Sequence, residues 1–526
     1  MFNFSLAVYL LLLLHIAGTF AKPPVVVGYY PTWKRQAIAA VDISKYTHVN
    51  VAFAIPKEDG SLTFEGDWFM DSTVKELHGK NVKVLVSVGG WTGSNHFSNI
   101  LKSDDKFNRL VGSMAYYVKN YNLDGIDIDW EYPGRIGNEC NAYDATNDAP
   151  NFLRFLQALR TRFNNDFGSR TKLITLAVRV QPFDGPNGPL ADVSEFAKVV
   201  DYANLMQYDL NGPWNPETGP NAPFDYQQGK SAPFSFTTAI DSWTNAGWPA
   251  NQLNAGLGFY GRSTKAIVDM RQDPDNQYQP QLHEVPLGDS EDGPWYDACA
   301  GSTSNSGTWQ WRHLRDQGVL VSPTSSNPQW MRQWDNTTKT PWLFNPQSNI
   351  YLSYDDTDSI RIKSDYAAER GLAGVMVWSI NMDHDGELVK AARSFGGNSG
   401  KNDQPPLAPA SSAPASGSTP IQGDRPGGTI STSADPSPSS SEPSPPASGS
   451  QLIPGNPCGM NGSYQCIDGG GRNSAYVVCH NEKWLARSCA PGTVCLELGR
   501  SILCGWPVFA RIVASANKFA HGLSIA

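Results

Sequence analysis

The chain has 526 residues, 17% of them charged and 40% hydrophobic, a length that predicts three or four domains or one large barrel with accessories. Its 41 Lys and Arg against 50 Asp and Glu give a net charge of −9, a balance that repels phosphate backbones, so no nucleic-acid partner is expected. A neutral polymer meets no such penalty, and the 16 Trp supply rings that can stack on sugars where they are exposed.

In chain order, the first feature is an apolar run from Leu6 to Leu14, followed by Thr19 and Ala21 at a small-residue cleavage site. The run is too short to span a bilayer, which predicts a signal peptide over 1–21 and a secreted, extracellular or wall-associated chain. No later apolar stretch is long enough to span a membrane, so no membrane partner is expected.

Eight short apolar runs follow: 25–30, 48–54, 83–89, 123–130, 174–180, 202–208, 254–260 and 373–379. Between them lie segments such as FNRLVGSMAYYVKNY and APNFLRFLQALRTRF, whose apolar spacing is helical. Strands alternating with helices predict an α/β fold, a (β/α)8 barrel over 22–396. The last two runs are too far apart for one crossover. An α+β insertion before the eighth strand, at about 261–350, is the economical explanation.

Composition shifts to Ser, Pro, Ala, Gly and Thr over 397–455, as in SADPSPSSSEPSPPASGS, which reads as an extended linker. Six of the eight cysteines (Cys458, Cys466, Cys479, Cys489, Cys495 and Cys504) then cluster, which predicts a disulfide-rich module over 456–506 and a tail over 507–526. Cys140 and Cys299 are left over and can pair with each other. Asn336 and Asn461 head glycosylation sequons, which matter only in an exported chain.

The stretch DGIDIDWEYP at 124–133 is the most informative. Side chains alternate along a strand, so Asp127, Asp129 and Glu131 share one face while Ile126, Ile128 and Trp130 share the other. If the apolar set packs on the helices, the acids point into the barrel. Neighbours on that face, ~7 Å apart, repel by roughly 2.4 kcal/mol at an effective dielectric of ~20. Desolvation adds to this, so at least one acid holds a proton near neutral pH, which is what a general acid requires. Glu131 lies nearest the C-terminal end of the strand, where barrels present their chemistry. The other readings are a solvated sheet face and a divalent-metal site. No His lies nearby, and a calcium loop starting at Asp127 has Tyr132 where Gly is required.

DGIDIDWEYP resembles the DxxDxDxE signature of glycoside hydrolase family 18, the chitinases and their relatives. SVGGW at 87–91, MQYD at 206–209, GFYGRS at 258–263 and GVMVWS at 374–379 resemble further motifs of that family in the same order. The resemblance implies that Glu131 is the catalytic acid and base and that Asp129 orients the substrate acetamide with Asp127 beside it. It implies that Tyr208 holds the acetamide carbonyl and that Asp209 and Arg262 bind the sugar from the sides. Trp378 forms the floor, Tyr29 and Phe53 line the pocket, and Trp33 and Trp91 are platforms for further sugars. Met206 and Tyr260 belong to the matched motifs, Gly90 permits close backbone approach, and Asp124 is structural. No metal or cofactor is implied.

The cysteine-rich stretch resembles carbohydrate-binding module family 19, with Tyr476, Trp484 and Trp506 as binding aromatics. The expected function is a secreted, monomeric chitinase acting on chitin and N-acetylglucosamine oligosaccharides. The rivals are a chitin-binding lectin on a silent barrel, a wall-bound binding protein and an enzyme of N-glycan cores. The run LAVRVQP on the fifth strand departs from the small residues usual in the family there.

Overall fold

A computed structural model describes residues 24–395 and, in the C-terminal module, 464–466, 475–480, 483–488, 494–498 and 501–505. The expected signal peptide, the linker, Asn461, Cys458, Cys489 and Trp506 lie outside the described residues. Two units are distinguished, one holding the barrel and the other the module.

Eight parallel strands close the barrel. They are β1 (Val25–Pro31), β2 (His48–Pro56), β3 (Lys83–Gly89), β4 (Gly125–Asp129), β5 (Leu173–Val178), β6 (Tyr202–Leu205), β7 (Leu253–Gly258) and β8 (Gly374–Trp378). Each pairs with the next, and β1 closes the ring by pairing with β8, Val25 opposite Gly374. The helices α1 (Asp67–Gly79), α2 (Asp104–Asn120), α3 (Asp148–Phe167), α4 (Phe236–Asn245) and α5 (Thr357–Glu369) connect strands. Every predicted run contains a strand. Several strands stop early, because the polar residues at their C-terminal ends find partners outside the ladder. Arg179 leaves β5 to pair with Asp184, and Asp209 beyond β6 takes a left-handed φ of 58°.

Outward residues of the strands, including Ile126, Ile128, Leu176, Leu205, Val375 and Val377, join one large core with the helices. A smaller inner cluster holds Tyr29, Ala52, Ala177, Tyr208, Tyr260 and Met376. The alternation expected for β4 therefore holds, with Asp127 and Asp129 facing inward. Asp124 is structural: its Oδ2 accepts from the Val84 N–H and from His78 Nε2, each at 2.8 Å, tying α1 and β3 to the start of β4.

Between β7 and β8 lies the expected insertion. Its strand Tyr260–Ala266 runs antiparallel to Ile350–Ser353, which pairs with Thr340–Asn345 and so with Met331–Asp335. Asn336 sits exposed beyond that last strand. In the module, Tyr464–Cys466, Ala475–His480 and Lys483–Ser488 form an antiparallel sheet, with a hairpin of Val494–Leu498 and Ser501–Gly505. Cys466 and Cys495 form a disulfide, and half-buried Tyr476 packs against them. Trp484 lies on the third strand of the sheet.

One buried ion pair couples the fold to the site. Lys363 of α5 donates to both oxygens of Asp355, at 2.6 and 2.7 Å, and to the Ala222 carbonyl at 2.6 Å. Next to Ala222, Asn221 accepts from the Asp209 N–H at 3.1 Å. Lys363→Met strands a buried carboxylate and should cost about 3–5 kcal/mol in urea unfolding. The double variant Lys363→Met/Asp355→Leu should recover most of that loss.

Candidate active site

The inner face of the barrel is polar at one level. Asp127 is fully buried and accepts four hydrogen bonds: from Tyr29 (2.8 Å), Ser87 (2.7 Å), Thr175 (2.6 Å) and the Asn204 amide (3.3 Å). Asn254 of β7 extends this network by donating to Asn204 at 2.9 Å. Donors from β1, β3, β5 and β6 thus converge on one carboxylate of β4. Burial pushes the Asp127 carboxyl up, and these donors pull it back by favouring its charged form. Both oxygens are occupied, which leaves Asp127 poorly placed to ligate a cation.

Asp129 has the opposite surroundings. It is buried, and its Oδ1 has no hydrogen-bond partner. Burial, then the charges of Glu131 and Asp127, hold its carboxyl well above the ordinary carboxylate range. Glu131 is raised to about 7, chiefly by burial, with Tyr132 lowering it and Asp209 raising it. The acids titrate as a group, with the carboxyls of Asp129 and Glu131 both raised.

The backbone around Glu131 is fixed from both sides. Its N–H donates to Ser94 Oγ at 2.9 Å, and its carbonyl accepts from Asn141 Nδ2 at 2.8 Å. Gly137 lies so close that a Cβ there would stand 2.0 Å from the Glu131 carbonyl oxygen. At the end of β3, Gly90 has a φ of 83°, and a Cβ would meet the Phe53 ring at 2.8 Å. Peptide bonds 52–53, 131–132 and 378–379 are cis, each at a residue singled out in the sequence.

These groups open into a groove of about 1520 Å³ at the C-terminal ends of the strands. Of the predicted residues, Tyr29, Trp33, Phe53, Trp91, Asp129, Glu131, Met206, Tyr208, Asp209, Tyr260, Arg262 and Trp378 all line it. Asp127 lies beneath, and Gly90 supports Phe53. Trp378 stacks with Phe53 at 5.8 Å and meets Tyr29 at 5.5 Å, and Phe53 stacks with Trp33 at 6.1 Å. Trp33 and Trp91 are 56% and 45% exposed, so they present open faces rather than filling core. Tyr260 and Arg262 both donate to Asp209 Oδ1, at 2.7 and 2.6 Å. Tyr208 reaches Met376 Sδ at 3.7 Å, and burial holds its hydroxyl in the neutral form.

Two groove tryptophans were missed in the sequence. Trp214, 54% exposed, carries the Arg262 guanidinium over its ring at 5.3 Å, and Trp295 is 40% exposed on the insertion. No strand period marks either one. The irregular fifth-strand end also acquires an explanation, since Arg179 bonds Asp184 at 2.8 Å with Arg135 at 3.8 Å.

The family model for glycosyl hydrolases family 18 matches residues 25–383. The chain belongs to family 18. The model for the family 19 carbohydrate binding domain matches residues 430–499. The chain is 34% identical over 385 residues to a chitinase-like effector of Moniliophthora roreri, covering 70% of this chain and 92% of that one. It is 27% identical over 391 residues to chitotriosidase-1 of Mus musculus, covering 70% of this chain and 74% of that one. Among solved structures, a chitinase from Rhizomucor miehei is 35% identical with a TM-score of 0.66, covering 71% of this chain and all of its own. Among the described residues no helix is long and apolar enough to cross a membrane.

A carboxyl whose pKa rises on folding destabilises the fold once ionised. For Glu131 that cost is absent below its ordinary value of 4.5, grows with pH and is complete above about 7. Glu131→Gln should therefore melt at a higher temperature than the parent at pH 8 and at the same temperature at pH 4. A gain that persists at pH 4 would assign the effect to packing instead.

Proposed function

We propose that this family 18 chain is a secreted chitinase that hydrolyses β-1,4-linked N-acetylglucosamine polymers with retention. The observation that carries this reading is the contrast along one strand. Asp127 is saturated with donors, Asp129 is buried with an unpartnered oxygen, and Glu131 sits in the groove with a carboxyl near neutrality.

The reaction follows from that order. Glu131, protonated, gives its proton to the glycosidic oxygen as the bond to the anomeric carbon breaks. The carbonyl oxygen of the substrate's own N-acetyl group attacks that carbon, forming an oxazolinium ion, so no second protein carboxylate acts as nucleophile. Asp129 accepts the acetamido N–H at its free oxygen and stabilises the positive charge. The Tyr208 hydroxyl donates to the acetamide carbonyl and keeps it in attacking position. Glu131 then takes a proton from water, which opens the ring of the intermediate on the face the leaving group left. Retention results.

Trp378 supports the distorted sugar from below, and Asp209 and Arg262 hold it laterally. Trp33 and Trp91 bind sugars farther along. In the module, Tyr476, Trp484 and Trp506 are proposed to hold chitin, and the linker raises the local concentration of the barrel on an insoluble surface. The chain acts as a monomer without a metal or other cofactor. Export rests on the apolar run at Leu6–Leu14 and on the carbohydrate-binding match.

A second reading is favoured by the name chitinase-like effector given to a relative: a barrel that binds chitin oligosaccharides without cleaving them. Chromatography of N-acetylglucosamine oligomers separates the two. The parent should release shorter products, and Glu131→Gln should lose roughly 10²-fold to 10⁴-fold in rate while still binding. Binding without any product from the parent establishes the second reading. With cleavage in hand, kcat/KM should fall as pH rises through about 7, where the acid loses its proton. Asp209→Asn should move that limb to lower pH by removing a negative neighbour.

Cutting the chain in the linker should abolish most activity on insoluble chitin and leave soluble oligomers turning over as before. Equal loss on both substrates would show that the module supports the barrel itself.

A further inference from the structure

The segment 293–305 of the insertion is an arm with little support of its own. Its strands Trp295–Asp297 and Ser302–Ser304 pair only with each other among the described residues, and five of their six residues are exposed. A lone two-stranded hairpin is marginal in water. Its base is clamped by Asp292, which accepts from the Ser306 N–H at 3.1 Å, the Ser306 hydroxyl at 2.8 Å and the Gly307 N–H at 3.0 Å. Its tip carries Cys299, in a disulfide with Cys140 across 159 residues of sequence.

Cys140 belongs to the connection after β4, downstream of Glu131. Its neighbour Asn141 is the residue that donates to the Glu131 carbonyl, at 2.8 Å. The arm springs from the connection that leaves the C-terminal end of β7, three strands around the ring from β4. The bond therefore joins two walls of the barrel mouth that are raised by separate strands. Both partners face the groove: Trp295 and Ser304 on the arm, Arg135 and Gly137 on the loop.

We infer that Cys140–Cys299 clasps the arm across the groove, and that the clasped arm makes the site accept free ends of a polysaccharide in preference to interior positions. This rests on the reading of the groove as a polysaccharide hydrolase. An interior stretch of a long polymer must enter sideways, and a covalent span between the walls blocks that approach. A free end threads beneath it. Short oligomers are all ends and pass either way. The clasp also holds the exposed Trp295 ring over the groove, which the hairpin alone does not secure.

The test uses the full secreted chain, a soluble glycol-chitin polymer and the N-acetylglucosamine tetramer. Viscosity reports interior cuts, and new reducing ends report all cuts. The parent should lose little viscosity per reducing end released. Cys140→Ser/Cys299→Ser should lose severalfold more per end, with tetramer hydrolysis unchanged.

A reversible opening of the folded parent covers the case in which the variant misfolds. Cys140 is exposed and Cys299 half-buried, whereas Cys466 and Cys495 are fully buried, so a mild phosphine should open the clasp before that second bond. Mass spectrometry of alkylated thiols identifies the opened pair, and reoxidation should restore the parent ratio. An unchanged ratio of viscosity to reducing ends in the opened protein, with the tetramer still cleaved, overturns the inference. Failure of every form to cleave the tetramer removes the hydrolase reading, and with it any selection among cleavage sites.

Discussion

The site is built on the burial of Asp127. A carboxylate inside a barrel is costly unless its charge is met, and here four strands each supply a donor to it. Because those donors come from β1, β3, β5 and β6, the network depends on the register of most of the ring. It cannot form in a partly closed sheet. A satisfied Asp127 then places a fixed negative environment beneath Asp129, whose free oxygen has none of these donors. The difference in hydrogen bonding, more than any difference in burial, separates the two aspartates.

That separation carries upward to Glu131. With Asp127 held in place by its donors, the negative neighbour that raises Glu131 at the groove level is Asp209. Its contribution is tempered by Arg262, which donates to the same oxygen that accepts from Tyr260. On the proposed mechanism, one strand thus presents an acid with a proton to give at neutral pH and, two residues earlier, a group ready to receive the acetamide. Asp129 is placed by the period of the strand, and Glu131, two residues past its end, by the hydrogen bonds of its backbone to Ser94 and Asn141.

Much of this was legible in the sequence because strands have a strict period. Once Ile126, Ile128 and Trp130 were assigned to the helix side, the three acids had to face inward, and the eight apolar runs supplied the ring around them. The structural role of Asp124 follows from its place just before the strand. The donors to Asp127 were harder to see. Ser87, Thr175 and Asn204 lie within apolar runs, where each reads as an isolated polar residue until register brings them together. Trp214 and Trp295 were invisible for a different reason: Trp214 sits on a long irregular connection and Trp295 on a three-residue strand of the insertion, and no spacing rule says which rings of such segments turn toward a groove. Leaving Cys140 and Cys299 over from the module pointed to their pairing, while the span of that pair across the mouth depends on the closed topology.

Floor and walls of the groove are therefore held by different physics. The floor consists of strand residues whose positions are fixed by the ladder and by the core on its outer face. The walls are the loop after β4, the connection after β6 and the insertion, and they need their own fastenings: Asn141 on the Glu131 carbonyl, Asp292 at the base of the arm, Lys363 beneath the Ala222 segment, and a disulfide. On the proposed reading the floor sets the chemistry and the walls set which polymers reach it. The two are joined at one residue, because the loop bearing Cys140 also grips the backbone of Glu131. The grip on the acid is the Asn141 hydrogen bond and not the disulfide, so loss of the Asn141 amide reaches Glu131, whereas opening the clasp changes only access.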